Sequence, residues 1–191
     1  AQLAQASAPL LLRGERGMRP ELFARLLAAP SAPFLSGAEL LAEPPSELLA
    51  KATGGILFFP DLARLARGEQ RSLEFLLTRA EKHKVRLVSF SPLDVKSLAE
   101  KHDFDPDLGA RLSELTLRLP ALREFAEDVP DLASLMLAQM VEARACPQRR
   151  LSIASLNALR HHVWPGNLTE LEGVVKDLAL SSLDEEVQLD D

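Results

Sequence analysis

The sequence is short of cysteine, of aromatic residues and of long apolar runs. Of its 191 residues one is Cys, one is Trp and none is Tyr. The single cysteine, Cys146, cannot form an intrachain disulfide, and this fits the reducing cytoplasm in which we expect the protein to work. No apolar run is long enough to span a bilayer and no signal-peptide pattern opens the chain, so we expect no membrane association.

Metal-ligating patterns and excess positive charge are lacking as well. The four histidines, His83, His102, His161 and His162, form no His-Glu-x-x-His motif, and the lone cysteine excludes Cys-x-x-Cys, so we expect no metal site. The net charge is −6. Affinity for duplexes comes largely from Lys and Arg that neutralise phosphates, so we expect no direct nucleic-acid binding by this segment.

Apolar runs closed by Gly or Pro are present, and they alternate with helical patterns. This alternation predicts a parallel sheet with helices on both faces. We predict helices over 20–28, with Leu22, Phe23 and Leu26 as the apolar face, and over 69–84. Shorter helical pieces are predicted at 38–42 and 46–52. The predicted strands are 9–13, 56–59, 85–90 and 115–119.

From Asp128 onward the pattern is helical throughout. We predict helices capped by Asp128, Ser152 and Asn167, because these side chains accept hydrogen bonds from the first free backbone N–H groups of a helix. The sequence thus predicts an α/β core over 1–124 and a helical subdomain over 125–191. The chain begins at Ala1 without Met, so we expect it to be a piece of a longer protein.

Three stretches carry a resemblance to a known family. They are GGILFFPD (54–61), LPALREFAEDVPDLA (119–133) and WPGNLTELE (164–172). In this order and spacing they resemble GGTLFLDE, LPPLRERxEDIPxLA and WPGNVRELxN of the AAA+ domain of sigma-54-dependent transcription activators. The resemblance implies an α/β fold with a P-loop-type parallel sheet sandwich, followed by a small all-helical lid.

The phosphate loop of that family, GESGTGKE, aligns with residues 14–21 here. Gly14 and Gly17 match, but Arg19 replaces the glycine before the lysine and Pro20 replaces the lysine itself. The chemistry needs backbone N–H groups around the phosphates and a lysine on the β- and γ-phosphates. Pro20 has neither an ammonium nor an N–H, and an Arg19 that replaced the lysine would lie one position out of register.

The other catalytic positions of the family have changed too. Where the ATPase strand ends in Asp-Glu, this chain has Pro60 and Asp61, so the magnesium ligand is lost, and we interpret Asp61 as the N-cap of the next segment. The first arginine of the finger pair is Asp105. The second, Arg111, remains, and we interpret it as part of an ion pair. The lid arginine is Thr169, and the polar sensor position falls near Ser91.

The loop by which the family contacts sigma-54 has no counterpart. Only residues 35–53 lie between Phe34 and Gly54, and they contain no GAFTGA-like segment. The resemblance therefore implies a catalytically inactive domain without a cofactor, for which ATP binding and an ATP-driven hexamer are not expected. We expect it to bind a protein partner or itself, as a regulatory module of a bacterial transcription regulator or signalling protein.

Two other functions stay open at this point. The first is a nucleotide-binding domain with weak or no hydrolysis, which Gly14 and Gly17 favour and Pro20 and Pro60 oppose. The second is a working sigma-54 activator, which would need the missing contact loop. The candidate site residues form a remnant nucleotide site at which we expect no cofactor: Gly14, Gly17, Arg19, Pro20, Pro60, Asp61, Arg111 and Thr169.

Overall fold

The computed structural model of the chain describes residues 8–37, 43–181 and 186–187. These residues form two compact units. The first contains the described residues up to Gly14 and then Arg19–Leu119, and the second contains Glu15–Met18 and the described residues from Pro120 on. We propose that they correspond to the α/β core and the lid, for which the sequence predicted a boundary after residue 124.

The first unit is built on a parallel sheet, as the sequence predicted, and the sheet has five strands where the sequence predicted four. Its strand order is β2-β3-β4-β1-β5. Strands β3 and β4 are buried along their whole length, which explains why they appear in the sequence as runs of consecutive apolar residues. The strands are β1 (Leu10–Arg13), β2 (Phe34–Ser36), β3 (Ile56–Phe59), β4 (Arg86–Ser91) and β5 (Leu115–Arg118).

Helices of the first unit bury leucines against this sheet. The helix predicted over 69–84 is α3, which begins earlier, at Arg67, and buries Leu73 and Leu76; a 3₁₀ turn at Glu81–His83 follows it. A 3₁₀ turn at Leu62–Arg64 follows β3. The helices of this unit are α1 (Pro20–Arg25), α2 (Pro45–Lys51), α3 (Arg67–Arg79), α4 (Val95–His102) and α5 (Pro106–Leu112).

The predicted apolar face of α1 was wrong. Leu22 is 47 % exposed and Leu26 is 81 % exposed, whereas Ala24 is fully buried. Ala24 lies roughly 200° around the helix from Leu22, so the unit buries the side of α1 opposite to the one that the large apolar residues indicated. The helix predicted over 46–52 is α2, and the one predicted over 38–42 lies outside the described residues.

The second unit is a helical lid around one tryptophan. A 3₁₀ helix (Leu122–Asp128) leads into α6 (Val129–Glu142), which is followed by α7 (Ile153–His161) and α8 (Asn167–Ser181). Trp164 is 1 % exposed and lies in a core with Leu137, Leu159 and Leu171. The structure adds two short strands that the sequence did not predict, β6 (Arg150–Leu151) and β7 (Glu186–Val187), which pair in parallel.

One predicted cap of the lid is present and another is not. The Ser152 hydroxyl accepts a hydrogen bond from Ser155 N at 3.1 Å and caps α7 as predicted. Asp128 makes no side-chain capping bond. Its backbone is already helical because the 3₁₀ helix runs directly into α6, so Asp128 does not adopt the extended conformation of an N-cap. None of the described helices combines the length and the apolarity that crossing a bilayer requires.

Candidate functional site

The positions that match the family's nucleotide site begin at the carboxyl edge of the sheet. Gly14 follows β1 and Pro60 follows β3, and parallel strands bring such residues to one edge, where ligands of open α/β sheets bind. A Cβ on Gly14 would lie 2.9 Å from the Leu119 carbonyl oxygen. Glycine is therefore kept here by a close backbone approach, which needs no nucleotide.

Arg19 and Pro20 form the start of α1. Arg19 has φ 52° and ψ 56°, the left-handed conformation that most residues avoid, and Pro20 is the first helical residue. The helix has six residues, and its first residue has no backbone N–H to donate. Pro20 therefore supplies neither the backbone N–H nor the ammonium group that the lysine position of a phosphate loop offers the anion.

Residues 15–18, which we call the loop remnant, belong to the second unit and make hydrogen bonds within it. The Gly17 carbonyl oxygen accepts hydrogen bonds from Thr169 N at 3.0 Å and from Thr169 Oγ1 at 3.2 Å. Two of the predicted site residues are thus brought together. Thr169 occupies the lid arginine position, but its contact is with the backbone of the loop remnant.

Asn167 contributes a second set of bonds to the loop remnant. The side chain is fully buried; its Oδ1 accepts from Leu122 N at 2.8 Å, and its Nδ2 donates to Arg16 O at 3.0 Å and to Glu15 Oε2 at 3.2 Å. The prediction that Asn167 caps α8 was therefore wrong, because its acceptor oxygen is used by Leu122. Glu170 Oε2 instead accepts from Gly166 N, at 2.7 Å, at the start of that helix.

The turn before α8 has two residues with unusual backbone conformations. Trp164 (φ 54°) and Asn167 (φ 52°) have positive φ values, although neither is a glycine. A Cβ on Gly166 would lie 2.8 Å from Glu170 Cβ, and one on Gly17 would fall closer still to the Gly166 carbonyl oxygen. Gly166 is therefore required for space.

An ion pair that the sequence did not predict completes this network. Arg123 donates from Nη1 to Glu15 Oε2 at 2.7 Å and from Nη2 to Glu15 Oε1 at 2.5 Å. The hydrogen bond from the guanidinium to this carboxylate raises the pKa of Arg123. Arg123 lies in a stretch that carries the family resemblance and Glu15 lies in the aligned phosphate loop, and both match the family at their positions, which is the signal that would have identified them.

The residues at the second position of the family's Asp-Glu pair and at the sensor position make local structural bonds. Asp61 Oδ1 accepts from Ala63 N at 3.1 Å and caps the 3₁₀ turn after β3, in agreement with its interpretation as an N-cap. The Ser91 hydroxyl is buried, donates to Leu93 O at 2.7 Å and accepts from Leu93 N at 3.0 Å. Within the described part of the chain, no group of three or more His, Cys, Asp or Glu residues is placed to hold a metal.

The residues at the finger positions also have structural contacts. Asp105 Oδ1 accepts from Asp107 N at 2.9 Å and from Leu108 N at 3.0 Å, which caps α5. Arg111 Nη1 lies 3.8 Å from Glu74 Oε1, the intrachain ion pair that we expected. Arg111 also lines a cavity of about 640 Å³ with Pro9 and Val85, which precede β1 and β4. It thus lies toward the amino edge of the sheet, opposite to Gly14.

Comparison with known proteins agrees with this fold. Residues 1–122 match the Sigma-54 interaction domain family, and residues 123–191 match the AAA+ ATPase lid domain. The transcriptional regulator NtrC of Bradyrhizobium is 30 % identical over 94 % of this chain, and that of Rhizobium meliloti is 29 % identical over 93 %. The chain spans 44 % of the length of each of these relatives.

Solved structures similar to the chain include NtrX from Brucella abortus. Its complex with ADP has 26 % sequence identity and a TM-score of 0.81, and its complex with ATP has 25 % identity and a TM-score of 0.80. Both cover 99 % of this chain, which spans about half of each NtrX chain. With its parallel sheet, its helical lid and a match to the family over most of its length, this chain belongs to the Sigma-54 interaction domain family of AAA+ proteins.

Proposed function

We propose that this domain has lost ATP hydrolysis and ATP binding and works as a protein-interaction or regulatory module. It would do so within a bacterial transcription regulator of the NtrC type, in the cytoplasm. The observation that carries the proposal is Pro20, which occupies the lysine position and begins α1 without a backbone N–H. The other positions of the nucleotide site would then be a remnant with structural roles: Gly14, Gly17, Arg19, Pro60, Asp61, Arg111 and Thr169.

The chemistry of phosphoryl transfer explains why these changes matter. Catalysis in this class consists of positioning and of neutralising the charge that develops on the transferred phosphoryl group. The lysine, the magnesium ligand and the arginine finger each supply part of that stabilisation, and loss of one such electrostatic group costs about 10²–10³ in rate. Pro20, Pro60 and Asp105 replace all three, so the losses accumulate.

The loop remnant has partners of its own within the second unit. A phosphate loop holds its anion with backbone N–H groups that point toward it. Here Thr169 and Asn167 donate to the carbonyl oxygens of Gly17 and Arg16, and Arg123 holds Glu15. The remnant therefore already has a set of partners that keeps it ordered without a nucleotide.

Nucleotide binding without hydrolysis is the second candidate function. Gly14 and Gly17 are retained, and NtrX from Brucella abortus, at 25–26 % identity, is described in complex with ATP and with ADP. Under this alternative, Arg19 would supply the missing positive charge. Two observations oppose this alternative. Arg19 lies one position before the family's lysine position, and its left-handed backbone precedes a helix of only six residues.

A combined activity and thermal-shift experiment separates the two functions. Phosphate release with ATP and magnesium should equal the no-protein blank, and neither ATP, ADP nor a cyclic dinucleotide should raise the melting temperature. A ligand present at 100 times its Kd would stabilise the fold by about 2.7 kcal/mol, an effect that such a scan detects easily. A shift with ATP but no turnover would establish the alternative. Turnover of ATP that is abolished by the Asp61→Asn substitution would contradict both candidate functions.

A further inference from the structure

The lid contains an apolar cavity that plays no part in the remnant nucleotide site. Its volume is about 310 Å³, and it lies between α7 and α8, each of which packs against α6. Ala158 and Leu159 line it from α7, Val174 and Leu178 line it from α8, and Trp164 closes one end. We call this space the lid cavity. Its size is at the lower end of the range for sites that hold a ligand or a side chain of a partner.

Contacts within the lid hold the side chains at the Trp164 end of the lid cavity. The indole Nε1 donates to Leu159 O at 2.8 Å, and the His162 ring stands edge-on to the indole with 4.6 Å between the ring centroids. His162 Nε2 also lies 3.0 Å from Glu170 Oε1. These contacts fix the orientation of the three side chains, so a partner would meet a preformed surface at a low cost in ordering.

The charge at this end is negative. The hydrogen bond from Gly166 N, with a smaller contribution from His162, lowers the pKa of Glu170, so its carboxylate is ionised at neutral pH. The residues that line the lid cavity include no Lys and no Arg. An occupant that brings an apolar group to Leu178 and a cation to Glu170 would therefore complement both the surface and its charge.

We propose that the lid cavity is a docking site for an amphipathic helix of a partner protein. The partner would insert apolar side chains against Val174 and Leu178 and place a lysine or arginine against Glu170. This inference names the kind of partner for the interaction function proposed above and rests on that function.

The spacing of the lining residues is the reason for choosing a helix. Glu170, Val174 and Leu178 follow one another at four-residue intervals, so they form a row about 12 Å long on one side of α8. Ala158 and Leu159 on α7 form the opposite wall. A groove between two helices accepts an amphipathic helix through anchors spaced three, four and seven residues apart. The expected partner therefore has two apolar residues four positions apart and a basic residue one turn beyond them.

Selection from a peptide library tests the proposal while the partner is still unidentified. The whole 191-residue chain, immobilised, is panned against a phage library of randomised helical peptides, after depletion on the Leu178→Asp variant. Enriched peptides should carry the apolar pair and a Lys or Arg one turn away. Failure to enrich any peptide, or enrichment of peptides without a cation, would overturn the proposal.

Fluorescence then locates the bound peptide. Trp164 is the only tryptophan in the chain, so a selected peptide without Trp should shift its emission in a saturable manner. Glu170→Gln should raise the Kd at least tenfold, and Val174→Asp, a variant not used for the depletion, should abolish binding. Leu180→Asp is the matched control, since Leu180 is 55 % exposed on the same helix and does not line the cavity. Its Kd should equal that of the unchanged chain.

Folding and alternative occupants are controlled separately. Circular dichroism checks each variant, and Ala158→Glu on the opposite wall replaces Leu178→Asp if that variant does not fold. If the chain alone forms a dimer and either variant abolishes that dimer, the lid cavity binds a second copy of the chain. This result would overturn the proposal. These readouts do not involve nucleotide. Absence of peptide binding would therefore not contradict the loss of ATP binding and hydrolysis, and ATP turnover would not contradict the docking site.

Discussion

Gly17 and Gly166 touch through their backbones. A Cβ added to Gly17 would approach the Gly166 carbonyl oxygen to within 3.0 Å, a distance that real Cβ atoms essentially never show. Gly17 also has φ 82°, which side-chain-bearing residues rarely adopt. The glycine that matches a phosphate-loop position is therefore required by the packing of the second unit, whether or not the chain binds nucleotide.

Replacement of Gly17 by alanine should destabilise the second unit. The added methyl group strains the backbone and collides with Gly166, so we expect a loss of more than about 1 kcal/mol in the free energy of unfolding. Urea unfolding followed by Trp164 fluorescence measures it. Gly173→Ala is the control: Gly173 is helical, with nothing within 4 Å of an added Cβ, and should gain about 0.5–1 kcal/mol. Equal stability of the two variants would contradict this account.

Trp164 should be the most costly single truncation in the lid. Its ring is 1 % exposed in the lid core, and replacement of a buried tryptophan by alanine typically costs about 3–5 kcal/mol. Thermal unfolding monitored by circular dichroism measures the Trp164→Ala variant. Trp164→Phe keeps most of the apolar contact and loses only the bond to Leu159 O, so it should cost less. An unchanged melting temperature for Trp164→Ala would show that the lid core is assigned incorrectly.

The Glu170 carboxylate should make the lid sensitive to acid. Folding lowers its pKa from the ordinary value of 4.5, mainly through the hydrogen bond from Gly166 N. A depressed pKa stabilises the folded state above 4.5, and this contribution is lost as the pH falls through the lower, folded value. The difference in melting temperature between the unchanged chain and Glu170→Gln should therefore narrow as the pH falls from 4.5 through the pKa that Glu170 has in the folded state.

The carboxylates of Asp94 and Asp103 in the first unit also have lowered pKa values. The unchanged chain and the Glu170→Gln variant both contain these carboxylates, so their effect cancels in the difference in melting temperature. A gap that stayed constant from neutral pH to well below 4.5 would show that the charge of Glu170 contributes nothing to the fold.

The domain should not assemble into a ring in response to ATP. The family resemblance implies a ring in which the finger arginine of one subunit contacts the nucleotide of the next, but Asp105 occupies the first finger position and caps α5. We expect light scattering coupled to size exclusion to give the same mass with and without ATP or a transition-state mimic. Asp105→Asn, which retains a capping side chain and removes the charge, should behave in the same way. A hexamer induced by nucleotide would contradict the assignment.

Much of this protein follows directly from its sequence. The apolar runs at 10–13, 56–59 and 86–91 form strands because strands covered by helices on both faces must be apolar on both sides. The local caps Asp61 and Ser152 were also predictable, since a cap involves only the residue itself and the next two or three. The substitution at Pro20 is likewise visible in the sequence, because proline lacks an N–H in any fold.

Only the tertiary structure decided what the remaining residues do. Asn167 looks like a helix cap in the sequence, yet it bonds to Glu15 and Arg16, more than 150 positions away. Ala24 is buried in place of Leu22 because the surrounding unit, and not the periodicity of α1, determines which face is covered. Hydrogen-bond patterns and hydrophobic periodicity describe a residue's near neighbours along the chain. The partners of Asn167 and Gly17 are neighbours only after folding, and for that reason no local pattern predicts them.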